Sequence, residues 1–201
     1  MVGLREQKKQ ATRDLISWSA IRLIVARGYD KVLVEDIAAE AGVSPRTFNN
    51  YFSSKAEAVA SRHLDRCERM AQALRDRPAD EPLWAAITQA MLSELRPGPE
   101  VKAHPRPDPD AWAAGIRLML SVPAIQAETL RAGALAETTF ADAVAARTGT
   151  APTDLYPRLV AGAALSAQNV VSQTFLNRQI GMQELLTDAL RQVAAGLPPP
   201  R

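Results

Sequence analysis

The stretch that decides the fold is Val34–Phe52, which reads VEDIAAEAGVSPRTFNNYF. Apolar residues recur at helical spacing before and after a central Gly42, which predicts one short helix over 34–41 and a second over 45–51. Gly42 is suited to end the first helix, because glycine readily adopts the left-handed backbone conformation that commonly follows a helix. Two short helices joined by a tight turn predict a helix-turn-helix, the motif whose second helix enters the major groove of DNA.

The second helix of this motif has a sharp start and two chemically different faces. Ser44 is a good N-cap, and Pro45 fits the first helical position, where its missing N–H costs nothing. Phe48 and Phe52 are four residues apart, so both fall on the face that packs against the core. Amide and guanidinium groups on the outer face can pair with base edges, and hydroxyls can bind phosphates. The candidate DNA contacts are Ser44, Pro45, Arg46, Thr47, Asn49, Asn50 and Tyr51, with Lys55 just beyond the helix placed to neutralise a backbone phosphate.

Helical patterns continue on both sides of the motif. Between residues 5 and 27 the apolar residues fall on one stripe of an amphipathic helix, which Gly28 is placed to end. After the motif, Ser53 or Ser54 is suited to cap a fourth helix. The prolines between residues 97 and 109 exclude a helix there and predict a loop. The nine predicted helices span about 5–27, 34–41, 45–51, 54–75, 83–95, 110–121, 123–147, 153–178 and 182–195.

The composition favours helices over sheets and excludes several classes of protein. Apolar residues make up 47% of the 201, aromatic residues are few and prolines number 14, a composition typical of helices separated by proline-containing turns. The single cysteine, Cys67, excludes an internal disulfide framework. The sequence shows neither a secretory signal nor an apolar stretch of the roughly 18 residues that a membrane span needs. We therefore expect an all-α, cytoplasmic protein that does not bind a membrane.

Charge is distributed unevenly along the chain. Residues 1–77 carry 14 Lys and Arg against 10 Asp and Glu, a net charge of +4, whereas the remainder carries −2. This asymmetry favours a polyanionic partner at the N-terminal end, although a basic surface is by itself a weak signal.

Fixed spacing relates a set of residues between about 12 and 57: Thr12, Arg13, Ile16, Ala20, Arg27, Gly28, Tyr29, Val34 to Ala38, Ala41 to Phe48, Tyr51, Phe52, Ser54 and Lys55. With these residues the chain resembles the TetR family of bacterial transcriptional regulators. The resemblance implies an N-terminal three-helix DNA-binding domain, set at 1–53, and a C-terminal helical domain at 54–201 for effector binding and dimerisation. Leu33 departs from the family pattern, because a Thr or Ser usually caps the second helix there and touches phosphate. Asn49 stands where an aromatic residue is common.

The resemblance implies a homodimer that places one helix per subunit in successive major grooves of double-stranded operator DNA. Repression is the family's usual outcome, and we expect a small, mostly hydrophobic effector to release the protein from its operator. The alternative is a regulator without an effector, whose C-terminal domain only dimerises or recruits a protein partner. No nucleophile with a neighbouring base and no glycine-rich phosphate loop is recognisable, so neither enzymatic activity nor a cofactor is expected.

The last two long helices carry the residues predicted to form the dimer and to line an effector pocket. Small residues on the first and an apolar stripe on the second suit a four-helix interface, or simply a closed monomer core. Polar residues interleave with apolar ones over 168–175, which favours either a cavity or a polar rim. The predicted interface residues are Ala163, Ala167, Val170, Thr174, Leu186, Ala189, Leu190 and Val193. The predicted pocket residues are Trp112, Ile116, Met119, Phe140, Gln168, Val171 and Phe175.

His63 and Cys67 are four residues apart on the fourth helix, a spacing found among metal ligands. They share their stripe with Val59, Met70 and Leu74, and the sequence has no second cysteine to complete a site. Core packing is therefore the favoured interpretation, and no metal is expected.

Overall fold

The computed structural model describes residues 3–95, 114, 117, 119–175 and 181–198. This part of the chain contains eight full helices and no strand, which confirms the predicted all-α fold. None of the helices within it is both long and apolar enough to cross a membrane. The helices are α1 (Leu4–Arg27), α2 (Val34–Glu40), α3 (Pro45–Tyr51), α4 (Lys55–Arg75), α5 (Leu83–Ser93), α6 (Pro123–Thr148), α7 (Leu155–Phe175) and α8 (Met182–Ala194).

The predicted helix bounds agree closely with these eight helices. Gly28 ends α1 as expected, with a φ of +86° and its N–H donating to the carbonyl of Ile24 at 2.8 Å. Ser54 caps α4, because its Oγ accepts from the N–H of Glu57 at 3.0 Å. The ninth predicted helix, over 110–121, and the predicted loop at 97–109 lie largely outside the described residues, as does the end of the helix predicted to reach 178.

The described residues of 1–65 and 106–133 form one compact unit. Its core consists of the inner faces of α1, α2 and α3 with the beginnings of α4 and α6. Ile16, Ile37, Phe48 and Ile125 are all fully buried in it. These side chains contribute roughly 1.5–3 kcal/mol each to stability, so this small unit depends on a few large residues.

The described residues of 66–105 and 134–201 form the second unit. Its core contains the end of α4, α5, most of α6, α7 and α8, with Met70, Ile87, Phe140 and Leu186 fully buried. Residues 54–65 belong to the first unit, so the compact units do not follow the boundary predicted between residues 53 and 54. That boundary, as a division between a DNA-binding and an effector-binding domain, stays a prediction.

Candidate DNA interface

The turn between α2 and α3 has the geometry that the sequence predicts. Gly42 has a φ of +65°, a left-handed conformation that favours glycine. The N–H of Val43 donates to the carbonyl of Ala38 at 2.9 Å, and that of Gly42 to the carbonyl of Ala39 at 3.1 Å. This pair of bonds is the Schellman arrangement, which satisfies the last carbonyls of α2 and sends the chain directly into α3.

Helix α3 begins with a complete cap. The Ser44 hydroxyl oxygen accepts a hydrogen bond from the N–H of Thr47 at 3.0 Å, and the two side-chain hydroxyls lie 2.9 Å apart. Pro45 follows as the first helical residue. The cap and the proline together fix where this seven-residue helix starts, which matters because so short a helix is not stable alone.

Two phenylalanines hold α3 against the core and set the direction of its outer face. Phe48 is fully buried and Phe52 is 2% exposed, with ring centres 5.9 Å apart and planes tilted by 53°. Arg46, Asn49 and Asn50 are exposed, as the spacing predicts. Ser44 and Pro45 are exposed as well, whereas Thr47 and Tyr51 are half-buried. Arg46, Asn49 and Asn50 thus lie on the accessible side of α3, away from the buried Phe48, and their contact with DNA stays a prediction.

The start of α2 shows how the chain compensates for Leu33. Leu33 occupies the N-cap position, is 60% exposed and makes no side-chain cap. The carboxylate of Asp36 instead accepts a hydrogen bond from the N–H of Leu33 at 2.9 Å. This contact is one half of a capping box, and the acidic side chain three residues after the cap position is the signal that could have predicted it.

Lys55 has partners that the sequence analysis did not foresee. Its ammonium donates to the carbonyl oxygens of Tyr29 at 2.6 Å and Val32 at 2.8 Å, and lies 4.1 Å from the centre of the Tyr29 ring. Burial, and secondarily the charge of Asp30, raises the pKa of the Tyr29 phenol. Two of the three ammonium donors are therefore used within the protein. Lys55 thus links α4 to the turn before α2. Its third N–H donor is the one that the predicted phosphate contact would use.

The sequence also did not predict a partly buried polar interface between α1 and α4. Arg13 donates from Nη1 to Oδ1 of Asp65, and Arg62 donates from Nη1 to Oδ1 of Asp14 at 2.8 Å. Arg62 Nη1 also lies 3.6 Å from Oδ2 of Asp65. Nearby, the hydroxyl of Ser17 donates to the carbonyl of Ala58 at 2.6 Å. Helical periodicity cannot reveal such pairs, because they join residues about 41 to 52 positions apart in the chain.

The structure places three of the predicted dimer-interface residues in the core of the second unit, and the interface itself stays a prediction. Leu186 is fully buried and Leu190 is 1% exposed, because both lie in the core of the second unit among residues of α5 and α7. Ala167 is also buried there, at 8%. Leu186 and Leu190 of the α8 stripe therefore pack within their own chain. Of the remaining predicted residues, Val170 is 59% exposed, and Ala163, Thr174, Ala189 and Val193 are half-buried.

The predicted pocket residues belong to both compact units, and a pocket that they line stays a prediction. Met119 is buried in the core of the first unit, whereas Phe140 and Val171 are buried in the core of the second. Phe175 is 40% exposed, so it is not a buried wall. Gln168 is 4% exposed, and its Oε1 atom has no hydrogen-bond partner. Trp112 and Ile116 lie outside the residues whose side chains are described.

Cys67 is a core residue of the second unit. Its side chain is fully buried, and burial raises the pKa of its thiol to about 11. Since the thiolate is the form that binds metals, this environment disfavours a metal site at Cys67. Within the described residues, no three His, Cys, Asp or Glu side chains are grouped as metal ligands would be.

The capped turn, the anchored α3 and its accessible polar face define the class of protein: an all-helical protein with an N-terminal helix-turn-helix. The model of the tetR family of bacterial regulatory proteins matches residues 18–60, and that of the MftR C-terminal domain matches residues 81–198. The HTH-type transcriptional regulator TcmR of Streptomyces glaucescens is 33% identical over 98% of this chain and 87% of its own length. The chain belongs to the TetR family of transcriptional regulators.

Solved structures show the same fold. A TetR-family transcriptional regulator from Rhodococcus sp. aligns with a TM-score of 0.57 at 21% identity, covering 93% of this chain and 98% of its own. Thermus thermophilus FadR, a TetR-family repressor solved in complex with lauroyl-CoA, aligns with a TM-score of 0.55 at 16% identity, covering 94% and 96%.

Proposed function

We propose that this regulator is a homodimeric repressor that binds a specific operator through α3 of each subunit and is released by a small, mostly hydrophobic effector. The observation that carries the proposal is the accessible surface of α3. Arg46, Asn49 and Asn50 are exposed on a helix whose start is fixed by Ser44 and whose inner face is buried. Arginine pairs bidentately with guanine and asparagine with adenine in the major groove, so this surface can read sequence.

The first test selects DNA fragments bound by the purified protein from a fragmented genome. We expect the recovered fragments to share a roughly palindromic site with half-sites about 34–36 Å apart, because two symmetric helices must reach successive major grooves. Recovery of unrelated fragments with no common site would contradict sequence-specific binding.

Dimerisation is proposed through α7, with a second copy of this chain as the partner. Leu155, Leu159 and Val170 are 73%, 60% and 59% exposed, and they lie on one face of the helix with the half-buried Ala163 between them. Exposed apolar residues on one helix face favour burial against an equivalent face across a twofold axis. Sedimentation of the purified protein tests this, and a monomer at micromolar concentration would contradict it.

An effector is supported by Gln168 in the second unit. A buried acceptor without a hydrogen-bond partner lowers the stability of the fold by about 1–3 kcal/mol, and a ligand that donates a hydrogen bond to it would recover this free energy. The surrounding core is apolar, so an accepted ligand would present a mostly hydrophobic surface. The acyl-CoA complex of the FadR neighbour is an example of such a ligand on this fold.

The alternative is a regulator without an effector, whose C-terminal helices serve dimerisation or recruit a protein. Thermal-shift measurements with a panel of apolar compounds discriminate between the two. A ligand at 100 times its Kd should add about 2.7 kcal/mol of stability and weaken operator binding. If no compound changes stability or operator affinity, the alternative is favoured.

A further inference from the structure

One arginine of α1, Arg13, contacts both the residue that ends α3 and a residue of α4. Phe52 is the C-cap of α3, and the guanidinium carbon of Arg13 lies 5.3 Å from the centre of its ring. The same guanidinium donates a hydrogen bond to Asp65, whose side chain is 7% exposed on α4. Arg13 therefore contacts the DNA-reading helix and α4 at the same time.

Asp65 is held from a second side. Arg62 lies 3.6 Å from its other carboxylate oxygen and donates to Asp14 of α1 at 2.8 Å. The resulting network alternates two arginines with two aspartates and has no net charge. Buried charges are costly unless paired, and removal of one member leaves another uncompensated. The network consequently favours one arrangement of α1 against α4.

Hydroxyl groups extend this polar interface toward the start of α4. Ser17 of α1 and Ser61 of α4 both donate to the carbonyl of Ala58, at 2.6 and 2.9 Å, and both are buried. Hydrogen bonds are directional, whereas apolar contacts are not. The Ser61 bond lies within α4, whereas the Ser17 bond joins α1 to α4, so a sliding or rotation of α1 along α4 would break the Ser17 bond together with the ion pairs of the network.

We propose that Arg13 is a positioning residue for operator recognition. By contacting Phe52 and Asp65 together, it fixes the orientation in which α3 presents Arg46 and Asn50 to DNA. It does so without touching the operator. This inference rests on the proposed DNA-reading function of α3 and adds that the geometry of that helix depends on a charge pair outside it.

Arg13 and Asp65 carry opposite charges, so electrostatics alone predicts opposite effects on DNA binding when each charge is removed. Asp65→Asn removes a negative charge, so electrostatics alone predicts tighter binding to DNA. Positioning predicts weaker binding, by about tenfold, for both Asp65→Asn and Arg13→Gln. The double variant should lose no more than either single variant, because both substitutions break the same contact.

The experiment measures operator and random-DNA affinities of the full-length protein at several salt concentrations, below the melting temperature of every variant. Arg131→Gln, which removes an arginine that is 74% exposed, is the control for net charge. We expect operator affinity to fall in both single variants, the random-DNA affinity of Arg13→Gln to follow the control, and the salt dependence to stay unchanged. If Arg13→Gln does not fold, Arg13→Lys is the second variant, since it keeps the charge and loses the planar group over Phe52.

Three results would overturn the inference. If the Asp65→Asn variant binds the operator as tightly as the wild type does, the Arg13–Asp65 pair does not position α3. A salt slope smaller by about 0.9 in Arg13→Gln assigns a phosphate contact to Arg13 instead. Additive losses in the double variant show that the residues act independently. A wild-type protein without operator preference is a different failure, because it removes the proposed function itself.

Discussion

The ammonium nitrogen of Lys55 lies 4.1 Å from the centre of the Tyr29 ring and donates to the carbonyl oxygen of the same residue at 2.6 Å. A second bond, to the carbonyl of Val32, makes this lysine a structural link between α4 and the turn that leads into α2. The helix-turn-helix is thus held in place by a residue that sequence alone assigned to phosphate binding.

Lys55→Met should lower the free energy of unfolding by about 2 kcal/mol, because hydrogen bonds to a charged group contribute roughly 1.5–3 kcal/mol and the cation–π contact is lost as well. Urea denaturation measures this change. Lys31→Met is the matched control, since Lys31 is exposed. Equal stability of the two variants would show that the contacts of Lys55 contribute nothing.

The effects of Val170→Arg and Leu190→Ala should differ, because the first substitution should weaken dimerisation and the second should lower the stability of the fold. Val170 is 59% exposed and Leu190 is buried, so the first substitution should yield a folded monomer and the second should cost about 2–5 kcal/mol of stability. Sedimentation and denaturation measure the two effects. Leu130→Arg, at a leucine that is 76% exposed, should remain dimeric. A dimeric Val170→Arg variant would place the interface elsewhere.

Gln168→Leu should stabilise the ligand-free protein by about 1 kcal/mol, since it removes a buried acceptor without a partner. It should also abolish the response to an effector that donates a hydrogen bond to this residue. Denaturation measures the first effect, with Gln183→Leu at an exposed position as control. A clear loss of stability in Gln168→Leu would indicate that the amide makes useful contacts in the free protein.

The ion pair of Glu81 should make part of the free energy of unfolding depend on pH in the acid range. Arg77 donates to the Glu81 carboxylate at 2.7 and 2.8 Å, and this pairing holds the pKa of Glu81 below its ordinary 4.5. The pair therefore contributes its full stabilisation above pH 4.5, and the contribution is lost as the pH falls through the lower, folded-state pKa. The urea midpoint of Glu81→Gln should lie below that of the wild type at neutral pH, and the difference should shrink in acid. A difference independent of pH would contradict this.

The sequence was sufficient to predict α2 and α3, because each carries its own local signals. Ser44 and Pro45 define where α3 begins, Gly42 defines where α2 ends, and the spacing of Phe48 and Phe52 identifies the buried face. These signals act over a few residues, and the structure has all of them.

Contacts between distant residues were not predictable in the same way. The partner of Arg13 is Asp65, 52 residues away, and no periodic pattern connects the two. The apolar stripe of α8 is compatible with a core or an interface, and only tertiary packing places Leu186 and Leu190 inside. Met119 and Phe140 were grouped because both are apolar, yet they lie in different cores.

The central claim, that the outer face of α3 reads operator DNA, is tested most directly by the affinity of Asn50→Ala for the selected operator and for random DNA. Asn50 is exposed, so the variant should fold as the wild type does. Its operator affinity should fall by about 1–3 kcal/mol, whereas its affinity for random DNA should stay the same. Undiminished operator affinity in both Asn50→Ala and Arg46→Ala would contradict this claim.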